Sequence, residues 1–197
     1  MVDPTNITNY NLTDAELEER ILWWCLAAGK NGRTAAKQLD RLLNILTYNN
    51  FGPFESLRFY DMSVTNAALP PLLRDCGIGC YNHKAKAIQS LIWSELNLRT
   101  CTAEDLESIY GIGMKTSRCF IIHSRPDAQY AGLDTHVLKF LRSKGVDAPL
   151  STPGSRKKYL ELEKIFLTYA QESGKVVSQF DLDIWNYYSG GKNVHGS

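Results

Sequence analysis

Apolar positions follow the helical period along most of the chain. Thr13 and Glu16 form a capping box ahead of a helix running to about residue 28, with Leu17, Ile21 and Trp24 on its apolar face. Leu39, Leu42, Leu43 and Leu46 mark the apolar stripe of a helix predicted over 33–48. Further helices are predicted over 53–60, 64–74, 82–96, 103–109, 115–124, 135–144, 156–172 and 178–188. Many are separated by breakers: Gly52-Pro53, Pro70-Pro71, Ser124-Arg125-Pro126 and the stretch from Pro149 to Gly154. The chain reads as all-α, with no internal repeat and no low-complexity segment.

At 197 residues and 44% hydrophobic content, the chain fits one or two small domains with a real core. The absence of a signal-peptide pattern and of any long apolar run, with five cysteines in odd number, points to a soluble protein of a reducing, cytosolic compartment. The stretch around Trp23-Trp24 is too short to span a membrane, and none is expected as a partner. Net charge is only +1, a mild argument against strong nonspecific affinity for nucleic acid. The charge is uneven, however. Arg74, Lys84, Lys86, Lys115, Arg118 and Arg125 form one basic group, and Lys139, Arg142, Lys144, Arg156, Lys157 and Lys158 a second. Acidic residues concentrate at 14–19, 104–107 and 161–183. A basic face with an acidic back would suffice for DNA; ordinary solvated helices are the plainer reading.

The chemistry concentrates in residues 106–137. Thr102 and Asp105 start a helix, Leu106 and Ile109 give it an apolar face, and Gly111-Ile112-Gly113 stops it. A second helix begins near Met114, and its first amides lack partners within the helix. Such a helix–turn–helix unit suits a nucleic-acid phosphate, although a glycine-capped hairpin that binds nothing has the same pattern. Lys115 lies in the first turn, where the positive end of the helix dipole disfavours a cation. An amine freed of its proton is a nucleophile toward a sugar C1′ or a carbonyl. Downstream, Asp134 follows Gly132 and precedes a helix from Thr135, so it is both a helix cap and a candidate carboxylate.

The segments Ile109-Tyr110-Gly111-Ile112-Gly113-Met114-Lys115-Thr116-Ser117 and Leu133-Asp134-Thr135-His136-Val137 closely resemble the helix-hairpin-helix DNA glycosylase superfamily, which includes endonuclease III and the 8-oxoguanine DNA glycosylases. Tyr110 stands where that family usually has proline. The stretch Cys76-Gly77-Ile78-Gly79-Cys80-Tyr81-Asn82-His83-Lys84-Ala85 also looks like a family loop. The resemblance covers roughly 35–190 and is strongest over 76–140. It implies two helical domains, 29–127 and 1–28 plus 128–197, with the active-site cleft between them.

The resemblance also implies roles. Lys115 and Asp134 would be catalytic, and Gly111, Gly113, Thr116 and His136 would meet DNA. Cys80, or Tyr81 in its stead, would wedge beside the flipped nucleotide. Asn49, or else Asn50, would fill the space left by the extruded base, although Asn-Asn before Phe51-Gly52-Pro53 is equally good turn chemistry. In the last helix, Asp183 or Asp181 would bond the base edge and Trp185 or Tyr187 would stack on it. Cys119 shares the Lys115 face and borders the pocket or belongs to the core. Endonuclease III relatives end in a cysteine motif for an iron–sulfur cluster; here no cysteine follows Cys119, and the cysteine spacing suits neither cluster nor zinc. No cofactor or metal is expected.

The implied function is a base-excision glycosylase with AP-lyase activity, 8-oxoguanine being the favoured lesion. Its partner would be double-stranded DNA with a damaged or modified base. A monomer is expected, acting in the cytoplasm on nucleoid-associated DNA or, for a viral protein, in the cytoplasm of the host. Two rivals remain at this stage: a transferase that modifies DNA bases on the same scaffold, and a non-catalytic DNA-binding module.

Overall fold

The computed structural model describes residues 1–46, 51–63 and 69–189. Among these are ten α-helices and no strand. They are α1 (Asp14–Ala27), α2 (Gly32–Ile45), α3 (Pro53–Ser63), α4 (Leu69–Asp75), α5 (Tyr81–Ile92), α6 (Ala103–Glu107), α7 (Met114–Ser124), α8 (Thr135–Ser143), α9 (Arg156–Glu172) and α10 (Val177–Tyr188). The all-α class and every predicted helix are present; positions 47–48 and 64–68 of two predicted helices lie outside the described residues. Helix α5 stops at Ile92, short of the expected 96, where the Trp93 amide closes the last turn and Ser94 Oγ donates to Leu91 O at 2.8 Å.

Side chains set the helix starts. Thr13 N donates to Glu16 Oε2 at 2.7 Å and Glu16 N donates back to Thr13 Oγ1 at 3.3 Å, which completes the capping box. Asn31 Oδ1 accepts from Arg33 N and Thr34 N ahead of α2.

The chain divides into two compact units, Met1–Ile7 with Asn11–Phe120, and Thr8–Tyr10 with Ile121–Ser197. The boundary falls inside α7. This differs from the expected domains in one respect above all: α1 belongs with residues 11–120, where it packs on α2, α3 and α5, and not with the C-terminal third. Ile21, Leu22 and Leu26 are fully buried in that packing. Lys84 reinforces it by donating from Nζ to Leu26 O at 2.6 Å, which satisfies a carbonyl in the last turn of α1. Burial pushes the Lys84 ammonium below the ordinary lysine value.

The second unit has an aromatic centre. Phe140 meets Tyr169 and Phe180 edge-on, each with ring centroids 5.5 Å apart, and Phe166 lies 5.3 Å from Phe180. The segment Thr8–Tyr10 joins this unit through side chains. Thr8 Oγ1 lies 2.7 Å from His123 Nδ1, and Tyr10 Oη lies 2.5 Å from Ser178 Oγ. His123 Nε2 faces Asp181 Oδ2 at 3.3 Å, so Asp181 is buried in a side-chain pair. Among the described residues no helix is long and apolar enough to cross a membrane.

Candidate active site

The α6–α7 hairpin is built from the turn outward. Thr102 and Asp105 close a capping box at the start of α6. At the turn, Gly111 has φ +81°, and a Cβ there would stand 2.6 Å from the Ala87 Cβ on α5. Both the left-handed backbone and the close approach require glycine. Gly113 is different: its backbone is unstrained, and an added Cβ would meet nothing within 4 Å. Tyr110 has its own structural use. Its hydroxyl lies 2.9 Å from His83 Nδ1, and Lys86 Nζ stands 4.3 Å above its ring, so the turn is held against the start of α5.

Helix α7 presents Lys115 half-buried in its first turn, with Nζ 4.8 Å from the centroid of the Trp24 ring. The amine therefore rests on an aromatic wall supplied by α1. Behind it the hairpin is fastened by charge. Arg118 is 1% exposed and donates from Nη1 to Glu107 Oε1, and Ser117 Oγ donates to the same oxygen at 3.2 Å. Arg118 and Lys84 thus leave the basic group expected to face DNA, because both are buried and bonded internally. Thr116 and Cys119 are also buried, within the first unit.

The loop that ends at Cys80 leads into α5. Gly77 has φ +79° and its carbonyl accepts from Gln38 Nε2. Cys80 itself is exposed and left-handed, with φ 54° and ψ 34°. A non-glycine residue in that conformation costs about 1–2 kcal/mol. Tyr81, next along, is half-buried. Asn49 lies outside the described residues.

In the second unit Asp134 is the N-cap of α8. Its Oδ1 accepts from His136 N at 2.8 Å and from Val137 N at 2.9 Å, so the helix start fixes the carboxylate. The preceding segment is fixed from α9. Tyr159 hydroxyl donates to Ala131 O at 2.7 Å and accepts from Leu133 N at 3.1 Å; Glu163 Oε1 accepts from Ala131 N at 2.8 Å. Trp185 stands edge-on to His136, with centroids 6.2 Å apart, so the structure brings these two beside the Asp134 cap.

Asp183 is committed elsewhere. Its carboxylate accepts from Lys175 Nζ at 2.6 Å and from Gln179 Nε2 at 2.7 Å. Burial pushes its acidity one way, but those two bonds outweigh it and hold the group below the usual carboxylate value. Tyr187 is 78% exposed and meets only Tyr188 among the aromatic rings described.

Sequence reasoning missed Trp24, Glu107, Tyr159 and Glu163. The last pair carried a legible signal: Tyr159 and Glu163 are one helical turn apart among Leu162 and Phe166, so a carboxylate sits on an apolar stripe.

The fold matches the 8-oxoguanine DNA glycosylase of Thermotoga maritima with TM-score 0.67 at 21% identity, covering 90% of this chain and 82% of that one. It also matches the Methanocaldococcus jannaschii 8-oxoguanine glycosylase/lyase, solved in complex with a 15mer DNA containing 8-oxoguanine, with TM-score 0.68 at 21% identity over 94% of this chain and 86% of that one. In sequence, the 8-oxoguanine DNA glycosylase/AP lyase of Thermotoga sp. (strain RQ2) is 32% identical over 80 residues, which are 41% of this chain and only 38% of that relative. The Ogg-HhH profile, described as 8-oxoguanine DNA glycosylase, matches residues 57–175, more than half of the chain and including both Lys115 and Asp134. The chain belongs to the Ogg-HhH, 8-oxoguanine DNA glycosylase, family.

Proposed function

We propose that this protein is a base-excision DNA glycosylase with AP-lyase activity, acting on 8-oxoguanine in duplex DNA through Lys115 and Asp134. The observation that carries the reading is Lys115, a lysine in the first turn of α7 behind the Gly111-Ile112-Gly113 turn. The relatives support the substrate: one is a glycosylase/lyase in complex with DNA containing that lesion.

The chemistry follows from the residue types. The open backbone at Gly113 and the first amides of α7 receive a phosphate, and the target nucleotide leaves the stack. Lys115 Nζ, having given up a proton, attacks C1′ of the deoxyribose. The bond from C1′ to the base breaks, and the base departs with the electron pair and gains a proton. Asp134 carries negative charge toward the positive charge developing on the sugar and helps take the lysine proton. Ring opening leaves a Schiff base between Nζ and C1′. Loss of a C2′ proton then expels the 3′ phosphate and nicks the strand.

Borohydride reduces the Schiff base to a stable amine, so the whole chain should become covalently trapped on duplex containing 8-oxoguanine. Lys115→Ala should give no trapped product; trapping at the wild-type level would remove Lys115 from the mechanism. Asp134→Asn should lose base release while largely keeping DNA binding, and full activity in that variant would remove Asp134. A panel of duplexes with single defined lesions, scored for released base and nicked strand, tests the assignment of 8-oxoguanine.

A further inference from the structure

The segment 131–134 enters the cap of α8 with its backbone groups bonded to side chains of later residues. Ala131 N donates to Glu163 Oε1, and Ala131 O and Leu133 N, which bond each other at 3.1 Å, both also bond the Tyr159 hydroxyl. Thr152 Oγ1 donates to Leu133 O at 2.8 Å. Tyr159 is fully buried and Glu163 is 7% exposed. A tyrosine hydroxyl both gives and takes a hydrogen bond, so one atom ties two peptide groups on either side of Gly132.

The residue these bonds lead to is Asp134. Its Oδ1 is already committed to two amides of α8, so the carboxylate moves with the start of that helix, which the 131–133 segment leads into. We infer that Tyr159 and Glu163 are positioning residues for Asp134, holding the segment that aims its carboxylate during base release. This rests on the function proposed above. A reacting group displaced by about 1 Å loses on the order of 100-fold in rate, so hydrogen bonds remote from the substrate bear directly on turnover.

The test is single-turnover base release from duplex containing 8-oxoguanine, measured across DNA concentrations with the whole chain. Active molecules are counted from the borohydride-trapped end point. Tyr159→Phe should slow release per active molecule by about 10-fold while the half-saturating DNA concentration stays within about twofold. Glu163→Gln keeps an oxygen acceptor and should remain within about threefold of wild type, whereas Glu163→Leu removes it and should lose about 10-fold or more. An unchanged rate per active molecule in Tyr159→Phe would overturn the inference. So would a loss confined to the active fraction or to the melting temperature, or equal losses in the two Glu163 variants. Should Tyr159→Phe fail to fold, the Glu163 pair decides alone. A wild-type chain that releases no base from any lesion duplex overturns the proposed function itself. A competent wild type with an unaffected Tyr159→Phe overturns only the positioning role.

Discussion

Lys115 and Asp134 are supported by different chemistry. The hairpin under Lys115 is fastened by a buried ion pair, Arg118 to Glu107, with Ser117 on the same oxygen and a glycine pressed against α5 at the turn. The segment before Asp134 is fastened by hydrogen bonds from its peptide groups to Tyr159, Glu163 and Thr152. The hairpin partners are 10 and 11 residues apart; those of the Asp134 segment are 19 to 32 residues apart. A local, charge-fastened element tolerates little change in either partner, because removing one charge takes the nearest counter-charge from the other. A segment tied at several peptide groups loses a fraction of its restraint with each tie. The lysine side is thus built for rigidity against the phosphate it is proposed to hold, and the aspartate side for direction.

The sharpest way to break this comparison is Arg118→Met. It leaves Glu107 half-enclosed without its buried cation and should cost about 3–5 kcal/mol, read as a fall in the denaturant midpoint. A loss below that of Tyr159→Phe, expected at about 1–3 kcal/mol for its two lost hydrogen bonds, would show that charge is not what fastens the hairpin.

Next comes the contrast within the turn. Gly111→Ala combines a left-handed backbone with a clash on Ala87 and should cost about 2–4 kcal/mol. Gly113→Ala, with open space around it, should change stability by less than about 1 kcal/mol yet weaken binding to duplex DNA. Equal stability losses at the two positions would mean that the turn does not separate a folding glycine from a binding one.

The smallest expected effect is in acid. Hydrogen bonds from the Thr102 backbone and hydroxyl hold the Asp105 carboxyl below its usual value. On acidification the unfolded chain takes up this proton first. The contribution of Asp105 is therefore fully present above its ordinary value of 3.8 and is lost as pH falls through the lower folded value. The stability difference between wild type and Asp105→Ala should shrink over that range; a difference that grows in acid would contradict the capping box.

The helices were legible because their causes are local. Thr13 with Glu16, Thr102 with Asp105, and Asp134 ahead of Thr135 all cap within three residues. The turn at Gly111 and the helix cap at Asp134 were legible for the same reason. Periodicity says which face of α1 is apolar but not what covers it. The placement of α1 accordingly depended on packing against α5 and on Lys84, whose bond to Leu26 spans 58 residues. Charge says nothing of burial, which is why Lys84 and Arg118 read as part of a basic surface. Trp24 looked like core because nothing in its own neighbourhood announces the lysine that rests on it.

The three residues Thr8–Tyr10 also bear on the order of assembly. Their partners lie 115 residues away at His123 and 168 away at Ser178. As the chain leaves the ribosome, residues to Phe120 are available to one unit while Thr8–Tyr10 still lack the side chains they bind. Synthesis therefore gives the lysine-bearing unit a head start and leaves Thr8–Tyr10 waiting for their partners in α7 and α10. Substituting Thr8 and Tyr10 would accordingly harm the unit formed after Phe120 rather than the one that flanks them in sequence.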